Sequence, residues 1–153
     1  MMTIADKLAR LGHPLPAAPA PAANYVTATH HGELWHFSGQ IGHAGHNAGD
    51  GGTDLATLKA AAESAALALL AHIDAVTGGR AERVERILRL GVFIAAGPGF
   101  TRHGAVADGA SDLLVAVFGD AGRHARTSIG VASLPQGALV ELDAQVIIRA
   151  PQP

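Results

Sequence analysis

The most constraining stretch of the chain is its end, His124 to Arg149, because it alternates with a period of two. Val140, Leu142, Ala144, Val146 and Ile148 fall on one side, and Glu141, Asp143, Gln145 and Arg149 on the other. Such a pattern is a strand with one face for a core and one face for something polar. A preceding strand, followed by a turn at Leu134-Pro135-Gln136-Gly137, puts Ile129 and Val131 on one face and Arg126, Ser128, Gly130 and Ala132 on the other. The apolar sides suit covering helices. The reverse side is then small and polar, with the guanidiniums of Arg126 and Arg149 and two carboxylates. It is too poor in Lys and Thr for an ordinary solvated face, so the expectation is a surface approached by a ligand or another subunit.

The rest of the chain supplies the layer above. Thr3 to Leu11 is an amphipathic helix with Ile4, Leu8 and Leu11 on one side and Thr3 as its N-cap. His13 to Ala23 is rich in Pro and Ala, an extended connector laid over the surface. A hairpin is expected from Asn24–Thr29 and Glu33–Ser38, turning through His30-His31-Gly32. Six glycines in the fourteen residues from Gly39 to Gly52 predict a loop. Thr53 or Asp54 caps a long helix to about Val76, ended by Gly78-Gly79. Arg83–Ala95 follows as a strand whose alternation falters near Arg86 and Ile87, then a helix opened by Pro98-Gly99 over Phe100–Phe118. The order strand, strand, helix, strand, helix, strand, strand predicts an α+β domain over residues 24–150. In it two helices cover one face of a mixed sheet and the other face is bare.

Only 16% of the 153 residues are charged and mean hydropathy is +0.23, more apolar surface than a lone small domain needs to bury. A closed homo-oligomer is the natural remedy. The net charge of −2 gives no electrostatic case for nucleic acid, and the absence of cysteine excludes disulfides, a thiol nucleophile and Cys-ligated metal. The first residues lack an apolar signal-like run, and no uninterrupted apolar stretch reaches bilayer length, so a cytoplasmic protein is expected.

Five fragments together resemble a known family. They are Asn24-Tyr25-Val26, Phe37-Ser38-Gly39-Gln40-Ile41, Ala125-Arg126, Val131-Ala132-Ser133-Leu134-Pro135 and Val140-Glu141-Leu142-Asp143-Ala144, with Arg126 and Glu141 fifteen positions apart. As a set they resemble the YjgF or RidA-type reactive-intermediate deaminases, also labelled endoribonuclease L-PSP, over about Tyr25 to Arg149. The N-terminal helix, the connector and Gly109–Arg126 resemble a longer subgroup. The resemblance implies a chorismate-mutase-like α+β fold. It also implies a homotrimer packed sheet to sheet into a barrel, with a small-molecule cleft at each subunit interface.

The chemistry implied by that cleft falls on six residues. Arginine's planar fork matches a carboxylate with two parallel hydrogen bonds, so Arg126 would anchor an α-keto or α-imino acid; the plain alternative is an interface arginine paired with a neighbouring acid. Glu141 would direct a water at a C=N carbon. Otherwise it is a structural acid facing Arg126 or Arg149. Burial would raise its pKa and Arg126 would lower it, which leaves its protonation open. Tyr25 would line the cleft as a second catalytic residue, its phenol holding the water or ligand. Gly39 and Ser128 would lend backbone groups, and Phe93 would form an apolar wall or simply pack. Asp143 points the same way as Glu141 and reads as structural. His36 and His124 are the histidines expected near the cleft.

Two departures from the family pattern stand out. Asp108 stands where an asparagine is expected, an added negative charge that would disfavour an anionic ligand. The loop after Gln40 is also unusual and would reshape the pocket mouth. His43 and His46 lack an evident third ligand, so no metal is expected, and with no GxxxxGK[ST] the glycine-rich spans are not a phosphate loop. No cofactor is called for. The resulting expectation is a trimer that hydrolyses enamine or imine intermediates to a keto acid and ammonia. The alternatives are a non-catalytic trimer binding a small carboxylate metabolite and, against the chain's acidity, a ribonuclease.

Overall fold

The computed structural model describes residues 1–50 and 53–152. Among these residues three α-helices, α1 (Ile4–Arg10), α2 (Leu55–Thr77) and α3 (His103–Phe118), accompany five strands. The strands are β1 (Ala28–His31), β2 (Leu34–Gly42), β3 (Val84–Ile94), β4 (Ala125–Gly130) and β5 (Val140–Ile148). They form one mixed sheet in the order β1-β2-β5-β3-β4. All neighbours are antiparallel except β3 and β4, which are parallel and joined through α3. The α+β class with α2 and α3 on one face is as expected.

Local chemistry sets the helix ends. Thr3 and Asp6 make a reciprocal capping box on α1, which places Ile4 and Leu8 fully inside the core while Leu11 stays 43% exposed. Asp54 caps α2 by accepting from the Thr57 N–H at 2.7 Å, and Gly78 ends it in the left-handed region. By length and composition α2 would cross a membrane, but it is the central core helix here, with Leu58, Leu69, Leu70 and Ile73 at or below 1% exposure. At Gly109 a Cβ would meet the Lys59 backbone, so glycine sets how closely α3 approaches α2.

Several boundaries differ from the sequence expectation. Pro98 does not open a helix: the Phe100 N–H closes a turn onto Gly97 O at 3.0 Å, and α3 begins at His103. The first hairpin is displaced, with its turn at Gly32-Glu33 and Asn24–Thr27 in bends ahead of β1. Residues 39–42 are not loop. β2 runs through them to Gly42, because a bulge between Phe37 and Gln40 absorbs the extra residue and pairing with β5 resumes at Gln40 and Leu142. Gly51 and Gly52 of the predicted loop lie outside the described residues. The faltering alternation of β3 has the same cause, register shifts at Val84/Arg86 and Ile87/Arg89.

The largest correction concerns the two C-terminal strands. They follow one another in sequence but are not neighbours, since β3 lies between them. Arg126 is in register with Leu90 and through it with Ala144, both on the helix-covered face. Glu141 is in register with Phe93 and Ile129 on the bare face. Arg126 and Glu141 of one chain therefore point to opposite sides of the sheet. Two strand spacings and three residues of rise separate them, about 14 Å between Cα atoms.

Candidate functional site

Three of the six expected residues converge. A pocket of about 240 Å³ is lined by Tyr25, Gly39 and Glu141 together with Thr27, Gln40 and Gln136. Each wall has a local cause. The bulge in β2 turns Gly39 toward β5, where a Cβ would overlap the Glu141 carboxylate, so the acid lies directly over bare backbone. Tyr25 reaches the site from the bends before β1, its Oη accepting from the Ala22 N–H at 3.2 Å. Ala20, Ala22 and Pro19 of the connector form a further wall.

Glu141 is half-buried, and burial pushes its carboxyl above the ordinary 4.5; the neighbouring Asp143 charge pushes the same way. Neither cation expected to oppose this does so within the chain. Arg149 donates to Glu85 at 3.0 Å, and Arg126 pairs with Asp108 at 2.8 Å. Asp143 itself takes Arg89 at 3.4 Å, the pair arching over Gly91, consistent with a structural acid. Glu141 is thus a raised, partly dehydrated carboxyl beside a pocket, the disposition of a proton acceptor working nearer neutrality.

Arg126 lies on the edge strand β4, away from this pocket. Its Nη1 donates to Asp108 Oδ1 at 2.8 Å and Ser111 Oγ at 3.0 Å, and its Nη2 to Gly104 O at 3.3 Å, all from α3. Ser128 shares its face, in register with Val92. Phe93 is directly opposite Glu141 on the bare face, next to the exposed Ile129. His36 is exposed in register with Gln145, and His124 joins the Arg126 cluster through Ser111 at 2.9 Å. Among the described residues no three His, Asp or Glu side chains gather as a metal site; His43 instead bonds Asn47 at 2.7 Å.

Sequence reasoning missed Gln40 and Gln136 as pocket residues. Gln40 is 6% exposed, held by its Nε2 donating to Ser38 O at 3.1 Å across the bulge. Gln136 adopts a left-handed backbone (φ 57°) beside Gly137, a conformation costly for a residue with a side chain and often found at sites. Gly137 after it is the available signal, since a turn through Leu134–Gly137 implies only a connection.

Comparison with known proteins follows the same outline. Residues 15–148 match the family model described as Endoribonuclease L-PSP. Protein TCP17 of Trypanosoma cruzi is 45% identical over 149 residues, covering 94% of this chain and 92% of that protein. The crystal structure of Atu1372, a protein of unknown function from Agrobacterium tumefaciens, is 38% identical with a TM-score of 0.83, over 96% of this chain and 94% of that one. RidA from the Antarctic bacterium Psychrobacter sp. is 26% identical with a TM-score of 0.57, over 86% and 94% respectively.

Proposed function

Because the chain belongs to the endoribonuclease L-PSP family, that of YjgF and RidA, we propose that it is a cytoplasmic homotrimer that hydrolyses small imino acids to keto acids and ammonia. The active site is composite. Glu141, Tyr25 and Gly39 of one protomer face Arg126 of the next, which supplies the carboxylate anchor that a single chain keeps about 14 Å away. Glu141 takes a proton from water as its oxygen attacks the C=N carbon. From the protonated imine, that proton passes to the carbinolamine nitrogen. As the C–N bond breaks, the new hydroxyl becomes C=O and gives its own proton back to Glu141, which loses it to solvent, and ammonia leaves with a keto acid behind. Ser128 and Phe93 complete the substrate side from the edge strand and the bare sheet face.

The observation that carries this reading is the raised Glu141 carboxyl over Gly39 in a pocket sized for a small metabolite. The exposed Ile129 (45%) and Leu88 (40%) support burial against another copy. The net charge of −2 and the lack of a basic stripe speak against RNA cleavage, whatever the family label.

A mixing experiment tests the composite site. Arg126→Met and Glu141→Gln should each abolish ammonia release from freshly generated 2-iminobutanoate. If each site takes Glu141 from one protomer and Arg126 from the next, randomly mixed trimers regain about a quarter of wild-type activity, since every mixed trimer holds one intact site of three. No recovery after verified subunit exchange would refute it. Wild type no faster than Glu141→Gln would leave only a carboxylate-binding trimer.

A further inference from the structure

The guanidinium of Arg126 is not presented bare to an incoming anion. Its contacts to Asp108, Ser111 and Gly104 occupy three of its five N–H groups. The order continues behind it. His124 Nδ1 lies 2.6 Å from the Gly122 carbonyl, which can only accept, so the neutral ring carries its proton there. Nε2 then accepts from the Ser111 hydroxyl at 2.9 Å, and the serine oxygen is left to receive Arg126. The donor of each bond from Gly122 to Asp108 is thus fixed, with Arg126 donating to both sides, and the guanidinium is held in one place by α3 and the β4 edge.

Asp108 keeps 49% of its side chain accessible and Arg126 keeps 25%. A ligand reaching Arg126 across the β4 edge meets a positive and a negative charge side by side. A plain carboxylate is attracted by one and repelled by the other. A molecule with a cationic nitrogen next to its carboxylate satisfies both.

We propose that Asp108 is a specificity-determining residue, and that the Arg126–Asp108 pair selects small zwitterions, protonated α-imino acids and α-amino acids, over plain 2-oxo acids. This rests on Arg126 being the carboxylate anchor of the reaction proposed above. Its consequence for turnover is product release. Hydrolysis replaces the C=N bond by C=O and removes the nitrogen as ammonia, so the keto acid loses its hold on Asp108. One unit charge at about 5 Å in a half-exposed setting is worth about a tenfold change in affinity.

The test is calorimetric titration of the full-length protein with 2-aminobutanoate, a stable zwitterion, and with 2-oxobutanoate. Wild type should bind the amino acid about tenfold tighter. Asp108→Asn, near-isosteric and able to keep the bond to Arg126, should erase that preference, strengthening the oxo acid about tenfold while leaving the net-neutral amino acid nearly unchanged. Asp108→Glu, which keeps the charge, should retain the wild-type order. Equal changes for both ligands in Asp108→Asn, or a wild-type preference for the oxo acid, would overturn the proposal. Arg126→Met separates the two levels. If it abolishes both ligands while Asp108→Asn leaves the preference intact, the role of Asp108 alone fails. If neither ligand binds wild type, or both survive Arg126→Met, the anchor reading fails and takes this one with it.

Discussion

Replacing Gly39 by alanine should separate catalysis from stability. Gly39 is not in the left-handed region, so space rather than backbone conformation demands a glycine there. The added Cβ would overlap Glu141 Oε1 and stand 2.9 Å from Cδ. Against ordinary carbon separations of about 3.5–4.0 Å, the carboxyl must retreat by roughly 0.6–1 Å. Glu141 is the flexible end of a half-exposed side chain, so that retreat should cost under about 1 kcal/mol. The general gain of alanine over glycine within a strand, roughly 0.5–1 kcal/mol, offsets part of it. Catalysis tolerates displacement far less, and a shift of about 1 Å at a reacting group costs about a hundredfold in rate, or about 2.7 kcal/mol. The expected outcome for Gly39→Ala is near-native unfolding in denaturant with ammonia release from 2-iminobutanoate down about a hundredfold. Full activity at native stability would show that the carboxyl position above Gly39 is irrelevant to the chemistry. A stability loss of several kcal/mol would show that the side chain has nowhere to go.

The remaining predictions concern pH. Since burial and Asp143 hold Glu141 above 4.5 and a base must be ionised, the rate should rise with pH through a midpoint above 4.5. Asp143→Asn should move that midpoint down, and an unchanged profile would count against Glu141 as the base. The same raised pKa costs stability once pH passes through it, so Glu141→Gln should unfold at higher denaturant than wild type at neutral pH. His72 is 5% exposed and its Nε2 is buried with no hydrogen-bond partner among the described residues; burial holds its pKa below 6.5. Above 6.5 both folded and unfolded rings are neutral. As pH falls below 6.5 the unfolded chain binds a proton that the folded one refuses, and stability falls by up to about 1.4 kcal/mol per pH unit. His124 acts in the same direction, chiefly through burial and then the Arg126 charge, with its bond to Gly122 opposing. His72→Leu should flatten part of the decline between pH 7 and 5.5 in denaturant titrations, and an identical decline would exclude it as a source.

What was legible in the sequence was whatever follows from period and caps. Strand β5 shows the alternation predicted for it, every second residue buried from Val140 to Ile148. Thr3, Asp54 and Gly78 mark helix ends because each satisfies a backbone group at a defined offset. Glycines misled at residues 39–42. Their low strand propensity suggested a loop, yet α2 and Glu141 approach so closely there that a Cβ at Gly42 would strike the Ala61 backbone and one at Gly39 the acid. The failure at Arg126 has a different origin. Alternation tells which residues share a face, but not which face lies under a helix. In an edge strand as exposed as β4 neither face carries a burial signal. Ile129, the apolar residue expected beneath the helices, lies on the bare side, and Arg126 is the one that α3 covers. The site was therefore legible as a set of residue types, and only topology reveals that no single chain assembles them.

The strand order has a consequence for synthesis. The latest of the five strands in sequence, β5, is the middle one, and the β1-β2 pair meets the β3-β4 pair only through it. Until Ile148 is made, the nascent chain holds a lone hairpin and a separate parallel pair, neither of which can join the other. The helices must wait beside two half-sheets with their apolar sides uncovered, and folding can begin in earnest only when translation of this region is complete.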